Sequence, residues 1–209
     1  MLAHIANVTN FDHYARELDA MHRHRRRIFV DLLGWRALDG PEEREADAFD
    51  GPDATYILVL DEDGVYRASA RLLPTTGAHM MAELFRAFVD GPPPRGPDIH
   101  EWSRHCPGDP AWPAAINEAA RLALHMGVLA YALERGVRAF TAVMDRGLLR
   151  RARSYGWDCT PLGPPRAYGE GEAIAVLNPV RATHLDMLRA RAGVTGSVLV
   201  ARGDGARAA

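Results

Sequence analysis

The chain has 209 residues, 47% of them apolar and 25% charged, with a formal net charge of −2. That length suits one domain with its own core, and near-neutrality offers no bulk attraction to nucleic acid or a membrane surface. All 25 basic residues are arginine, so a lysine nucleophile or Schiff base is excluded.

The opening Met1 to Asn7 lacks the basic and apolar regions of a signal peptide, and no apolar run is long enough for a membrane span, so a cytoplasmic protein is expected. A helix is predicted from about Phe11 to Leu33, where Tyr14, Leu18, Met21, Ile28, Phe29 and Leu32 recur at helical spacing and Gly34 is a stop. Arg25 lies on that stripe, and an inward arginine needs a carboxylate or a ligand. Arg23, Arg26 and Arg27 read as solvated. An acidic loop follows over Asp39 to Asp53, with Glu42, Glu43 and Arg44 read as its solvated part.

Thr55 to Leu60 and Val65 to Leu73 read as a hairpin joined by Asp61-Glu-Asp-Gly64. A short helix is predicted around Met80 to Phe88, and the proline-rich 91–97 segment is a loop. Ile99 to His105 is a strand, Ala114 to Arg135 a long buried helix, and Val137 to Val143 a strand. Asp145 is an N-cap for a helix to about Tyr155. Glu172 to Leu177 is a strand, Val180 to Arg191 the last helix, and Gly203 to Ala209 a disordered tail beyond a domain spanning 1–202. A hairpin followed by alternating strands and helices predicts a single-domain mixed α/β sheet.

Cys106 and Cys159 fit neither a disulfide framework nor a metal cluster, and the nine histidines lack zinc-site spacing, so no metal is expected. No glycine-rich phosphate loop is present. The chemistry-bearing residues instead fall in ordered groups: Arg25, Phe29 and Trp35; Glu45-Ala-Asp47-Ala-Phe49-Asp50; Arg71-Leu-Leu-Pro-Thr75; Phe85; and Glu101-Trp-Ser103-Arg104. Each group alone is weak. Their order and spacing resemble the acyl-homoserine lactone synthases of the LuxI type from about Met21 to Ser154. Departures fall at His24, Leu32, Ala37 and at His100 and His105 flanking the strand motif, which bear on pocket shape more than on the charged residues.

The resemblance implies a GNAT-like acyltransferase fold, with a splayed sheet holding an acyl thioester between two strands. It implies that the amine of S-adenosyl-L-methionine attacks the thioester of an acyl-carrier protein or acyl-CoA, and that lactonisation then releases methylthioadenosine. Thioester and sulfonium are already electrophiles, so no cofactor beyond the two substrates is expected. Glu101 is the expected base, and a positioned base contributes roughly 10²–10⁴-fold. Strand alternation puts Glu101 and Ser103 on one face and Trp102 and Arg104 on the other, so a shared site requires a bulge or splay at that point. A plain edge ion pair between Glu101 and Arg104 is the alternative.

Asp47, Asp50, Arg71 and Arg25 are expected to cluster around the amine donor, with Arg104 supporting them. Phe29, Trp35 and Phe85 would wall the substrate or serve as ordinary core; Ser103 and His105 also fall among the substrate-binding candidates. Thr141 matches a threonine the family associates with 3-oxo donors, although a threonine in a strand is unremarkable. Arg146, Arg150 and Arg153 share one helix face and would dock the carrier protein or coenzyme phosphates, or form a solvated run. The rival functions are a GNAT-type N-acetyltransferase using acetyl-CoA and an inactive ligand sensor on the same fold.

Overall fold

The computed structural model describes residues 1–169 and 171–200, so the tail expected from Gly203 lies outside the described residues. The chain opens with β1 (Leu2–Ala6) and a 3-10 turn at Phe11–Tyr14. That turn leads into α1 (Ala15–Arg25), which continues as a π-helical segment over Arg26–Leu32. The hairpin β2 (Thr55–Leu60) and β3 (Tyr66–Pro74) is followed by the single turn α2 (Met80–Glu83) and by β4 (Ile99–Cys106). Then come α3 (Ala114–Arg135), β5 (Ala139–Asp145) and α4 (Arg146–Ser154). The short β6 (Thr160–Pro161) and β7 (Arg166–Tyr168) precede β8 (Gly171–Pro179), α5 (Ala182–Ala192) and β9 (Leu199–Val200).

The strands form one open mixed sheet in the order β6-β8-β5-β4-β3-β2-β1-β9, with β7 also on β8. Only β4–β5 and β1–β9 pair in parallel among the described residues. Period-2 alternation sorts the side chains into two layers. Ile57, Val59, Ala68, Ala70 and Leu72 join α3 and α5 in the larger core. Tyr56, Leu58, Leu60, Tyr66 and Leu73 pack with Tyr14 and Met21 on the α1 side. A third cluster sets Met80, Met81, Phe85 and Phe88 against Ala173 and Ala175 of β8.

Three differences from the sequence reading have physical causes. The helix expected through Leu33 widens after Arg25, where Leu33 N–H donates to the Ile28 carbonyl five residues back (3.0 Å). A wider turn breaks the 100° periodicity, and Leu32 ends up 49% exposed rather than on the buried stripe. Arg26 is half-buried rather than solvated, paired with Asp39 at 2.8 Å. β1 carries two alanines and a histidine and shows no strand pattern of its own; its burial comes from pairing with β2.

Gly127 marks where α3 lies closest to the sheet. A Cβ there would sit 2.4 Å from Ala3 Cβ and 3.1 Å from Ile57 Cγ2. Overpacking costs about 1–3 kcal/mol, against a helix-propensity gain of at most about 1 kcal/mol for replacing glycine. Gly127→Ala is therefore expected to lower stability by about 1–2 kcal/mol in urea denaturation, although alanine is the better helix former.

Candidate active site

The site begins with an irregularity in β4. Ser69 of β3 faces Cys106 while Arg71 faces Ser103, so β4 has one residue more than its partner between those pairs. Arg104 adopts φ of 49°. An extra residue of this kind re-aims the side chains around it. Here the bulge brings Arg104 to the α1 face beside Arg71 and sends His105 to the α3 face. His105 packs there against Trp102 and His125, with ring centroids 5.3 Å away in each case. His105, expected among the substrate-binding residues beside Ser103, therefore lies on the opposite face from Glu101 and Ser103, because the bulge exchanges it with Arg104.

On the α1 face, three arginines and three carboxylates close a ring. Arg25 reaches Glu45 at 2.5 Å and Asp50 at 2.8 Å. Arg71 meets Asp50 at 2.9 Å and Asp47 at 2.5 Å. Arg104 bridges Asp47 at 2.6 Å and Glu45 at 2.9 Å, completing the circuit. Arg25 and Arg71 are wholly enclosed, each at 0% exposure. Such burial is tolerable only because every charge meets its opposite on two sides and the ring sums to zero.

Tyr56 donates its hydroxyl to Asp50 (2.8 Å), Ser103 Oγ accepts from Arg71 Nε (3.1 Å), and Met80 Sδ accepts from Arg71 Nη2 (3.0 Å). Burial raises the pKa of the Asp50 carboxyl, but the hydrogen bonds and charge of Arg25, with Arg71 behind them, outweigh it and hold Asp50 far below the usual range.

The Glu45-Ala-Asp47-Ala-Phe49-Asp50 box works as a folded turn. Asp47 N–H donates to Asp50 Oδ2 (2.8 Å), and Phe49 N–H donates to Asp47 Oδ1 (2.8 Å). That turn directs all three carboxylates inward, while Glu42, Glu43 and Arg44 stay exposed. Glu45 is the ring member to which the sequence reading assigned no role; its place at the head of the box, and the need of Arg104 for an acid, were the available signals. Phe29 stacks on Trp35 (5.0 Å, 11°), and the Arg104 guanidinium lies 5.8 Å over Phe29. Phe85 belongs to a different ring group, with Phe88 and Tyr168.

Glu101 does not pair with Arg104. Its carboxylate accepts the backbone N–H groups of Met80 (2.8 Å) and Met81 (2.6 Å) at the start of α2. Burial raises its pKa, opposed by those two amides and by the nearby His79 and Arg71. Thr141 stands opposite Glu101 in the last parallel row between β4 and β5, and its buried hydroxyl has no hydrogen-bond partner among the described residues. Past that row the sheet splits, although both strands continue.

Across the split, Arg146, Arg150 and Arg153 are exposed on α4, whose start Asp145 caps by accepting the Leu148 N–H (2.8 Å). Arg146 pairs with Glu172 at 2.7 Å. Among the described residues, no group of three His, Cys, Asp or Glu side chains is arranged to hold a metal ion, and no helix is long and apolar enough to cross a membrane.

An open mixed sheet that splits between two parallel strands, with a buried carboxylate at the split, is the fold expected of a GNAT-like acyltransferase. A Lactobacillus plantarum structure described as an N-acetyltransferase shares that fold alone, at 13% identity and a TM-score of 0.56. Residues 10–188 match the autoinducer synthase family. An isovaleryl-homoserine lactone synthase of Bradyrhizobium diazoefficiens is 33% identical over 199 residues, covering 94% of this chain and 88% of that protein.

Among solved structures, the CoA-dependent acyl-homoserine lactone synthase BjaI with MTA is 30% identical with a TM-score of 0.88, covering 98% of this chain and 94% of that one. BjaI has also been solved with SAM and isopentyl-CoA. MesI, another CoA-dependent acyl-homoserine lactone synthase, is 31% identical with a TM-score of 0.84, covering 96% and 100% of the two chains. The chain belongs to the autoinducer synthase family, the acyl-homoserine-lactone synthases.

Two measurements check the electrostatics. Removing one partner of a buried ion pair costs about 3–5 kcal/mol, whereas surface pairs are worth about 0–1 kcal/mol. Glu45→Ala is therefore expected to lose about 3–5 kcal/mol in chemical denaturation. Glu43→Ala, which removes an exposed partner of Arg23, is expected to lose almost nothing.

His24 gives a pH signature. Its ring stacks on Trp112 (5.3 Å, 13°), and burial pushes its pKa down to about 4 from 6.5, partly offset by Asp109. Below pH 6.5 the unfolded chain takes a proton that the folded one refuses, so stability falls as pH drops toward 4. The slope approaches about 1.4 kcal/mol per pH unit. Burial shifts His105 and His125 in the same direction. Melting followed from pH 7 to pH 5 should show a falling Tm that His24→Phe makes shallower.

Proposed function

We propose that this chain makes an acyl-homoserine lactone, transferring an acyl group from an acyl-CoA thioester to the amine of S-adenosyl-L-methionine and then closing the lactone. The observation that carries the reading is the neutral charge ring beside a buried carboxylate at the sheet split, in a chain of this family. Glu101 takes a proton from the methionyl ammonium, directly or through a water, and the freed amine attacks the thioester carbonyl. Its carbon–sulfur bond breaks and the coenzyme leaves as a thiol. The methionyl carboxylate then displaces the sulfonium sulfur from its γ-carbon, and methylthioadenosine departs as a neutral thioether.

The ring organises the methionyl end. Asp47, the most exposed of the three acids at 20% side-chain exposure, faces the ammonium, and Asp50, Arg25 and Arg71 fix its orientation. Arg104, held by Glu45 and Asp47, places a cation where the carboxylate must lie. Phe29 and Trp35 form an aromatic wall for the adenosyl part. Ser103 positions Arg71 through its hydroxyl, Phe85 lies in the neighbouring apolar cluster, and Thr141 lines the split across from Glu101. Each group is pre-set, so alignment supplies much of the acceleration.

Coenzyme A is favoured over a carrier protein because BjaI and MesI, which cover most of this chain, are described as CoA-dependent. The exposed Arg146, Arg150 and Arg153 meet the coenzyme phosphates. A short branched acyl group is favoured by likeness to the isovaleryl synthase.

The test is mass spectrometry of products from pure protein with S-adenosyl-L-methionine and a panel of acyl-CoA and acyl-carrier-protein thioesters. Lactone and methylthioadenosine should appear together, with acyl-CoA the better donor. Acylated product without methylthioadenosine would indicate an acetyltransferase. Glu101→Gln should cut kcat by about 10²–10⁴-fold, and full turnover in that variant would remove Glu101 as the base.

A further inference from the structure

We propose that Trp102 limits the acyl group to short chains by closing the apolar space behind the split; this rests on the function proposed above. Parallel pairing of β4 with β5 ends at Glu101 and Thr141, although the strands run on to Cys106 and Asp145. Trp102 is the first β4 residue beyond that last pair. A thioester carbonyl within reach of Glu101 lies at this split, and its hydrocarbon tail must leave the charged ring for apolar surroundings.

On the Glu101 face, the sheet beyond the split is already covered by Met80, Met81 and Phe88 against Ala173 and Ala175. The other direction leads between the strands to the α3 face, where the tail meets the Trp102 indole. That ring is buried at 6% exposure. Its centroid lies 5.1 Å from Trp157, 5.5 Å from His125 and 5.9 Å from Phe140, all in edge-on contact. Rings interlocked in this way fill space at the density of an organic crystal and do not yield to an inserted chain.

The Trp102 Nε1–H is buried with no acceptor among the described residues. The indole is held by shape alone, so shortening the side chain frees volume without stranding a hydrogen-bond partner. The bulge two residues on keeps the chain from slipping to relieve the crowding.

The experiment compares kcat/KM for isovaleryl-, octanoyl- and dodecanoyl-CoA in the natural enzyme, Trp102→Phe and Trp102→Leu. Methylthioadenosine release is the readout. The ratio of long to short donor within one variant cancels any loss of folded protein. The natural enzyme should strongly prefer isovaleryl-CoA, and Trp102→Leu should raise the octanoyl to isovaleryl ratio by at least about 10-fold, with Trp102→Phe between them. A natural enzyme that accepts octanoyl-CoA as readily as isovaleryl-CoA, or an unchanged ratio in Trp102→Leu, would overturn the role of Trp102 while leaving lactone synthesis standing. Absence of methylthioadenosine with every donor would overturn the functional reading and this inference together.

Discussion

Three guanidinium groups cannot be placed inside a small protein unless something cancels them, and the arrangement that cancels them here organises the rest of the site. Arg25 comes from α1, Arg71 from β3 and Arg104 from β4, while the three acids come from one turn between α1 and β2. No single element contains a stable part of the ring. The helix, the turn and two strands are locked together by a requirement for neutrality, which is more directional than the apolar packing around it because each guanidinium demands planar, paired acceptors. The surrounding apolar layers then exclude water, and the low local dielectric makes both the pairing and any mismatch expensive.

The second organising feature is the relation between the bulge and the split. A bulge bends and twists its strand. In β4 the bend falls just past the last row shared with β5, so the irregularity that brings Arg104 into the ring coincides with the place where the strands part. Glu101 lies on the last paired row, its carboxylate bound by the amides that open α2. The third guanidinium of the ring, the carboxylate and the cleft are therefore set by a few residues of one strand.

Much of this was legible in the sequence because it followed from periodicity. The inward position of Arg25 came from the helical stripe, the hairpin from its turn residues, α3 from its apolar run to the residue, and the cap at Asp145 from its side chain. The need for a bulge in β4 followed from strand alternation once the family resemblance implied that Glu101 and Arg104 share a site. What escaped depended on contacts distant in sequence. Leu32 was misplaced because the helix widens after Arg25, an event that no local pattern announces. β1 becomes a strand only by pairing with β2. Glu45 looked like one acid among many in a polar loop until the turn brought it against Arg25 and Arg104. His105 changed faces because the expected bulge was not carried one residue further.

The bulge gives β4 something close to a reading frame. On one side of it stand a guanidinium and its carboxylates, on the other a layer of rings, and Arg104 and His105 are neighbours assigned to opposite worlds by a single extra residue. Substitution at either position alters one layer. Insertion or loss of one residue between Trp102 and Cys106 would exchange the two, setting a guanidinium among rings and leaving Glu45 and Asp47 with one arginine each instead of two. Sequence drift in this strand can thus proceed by replacement but not by change of length. The short interval from Glu101 to Cys106 is where a gap between this chain and a working relative would signal a lost site.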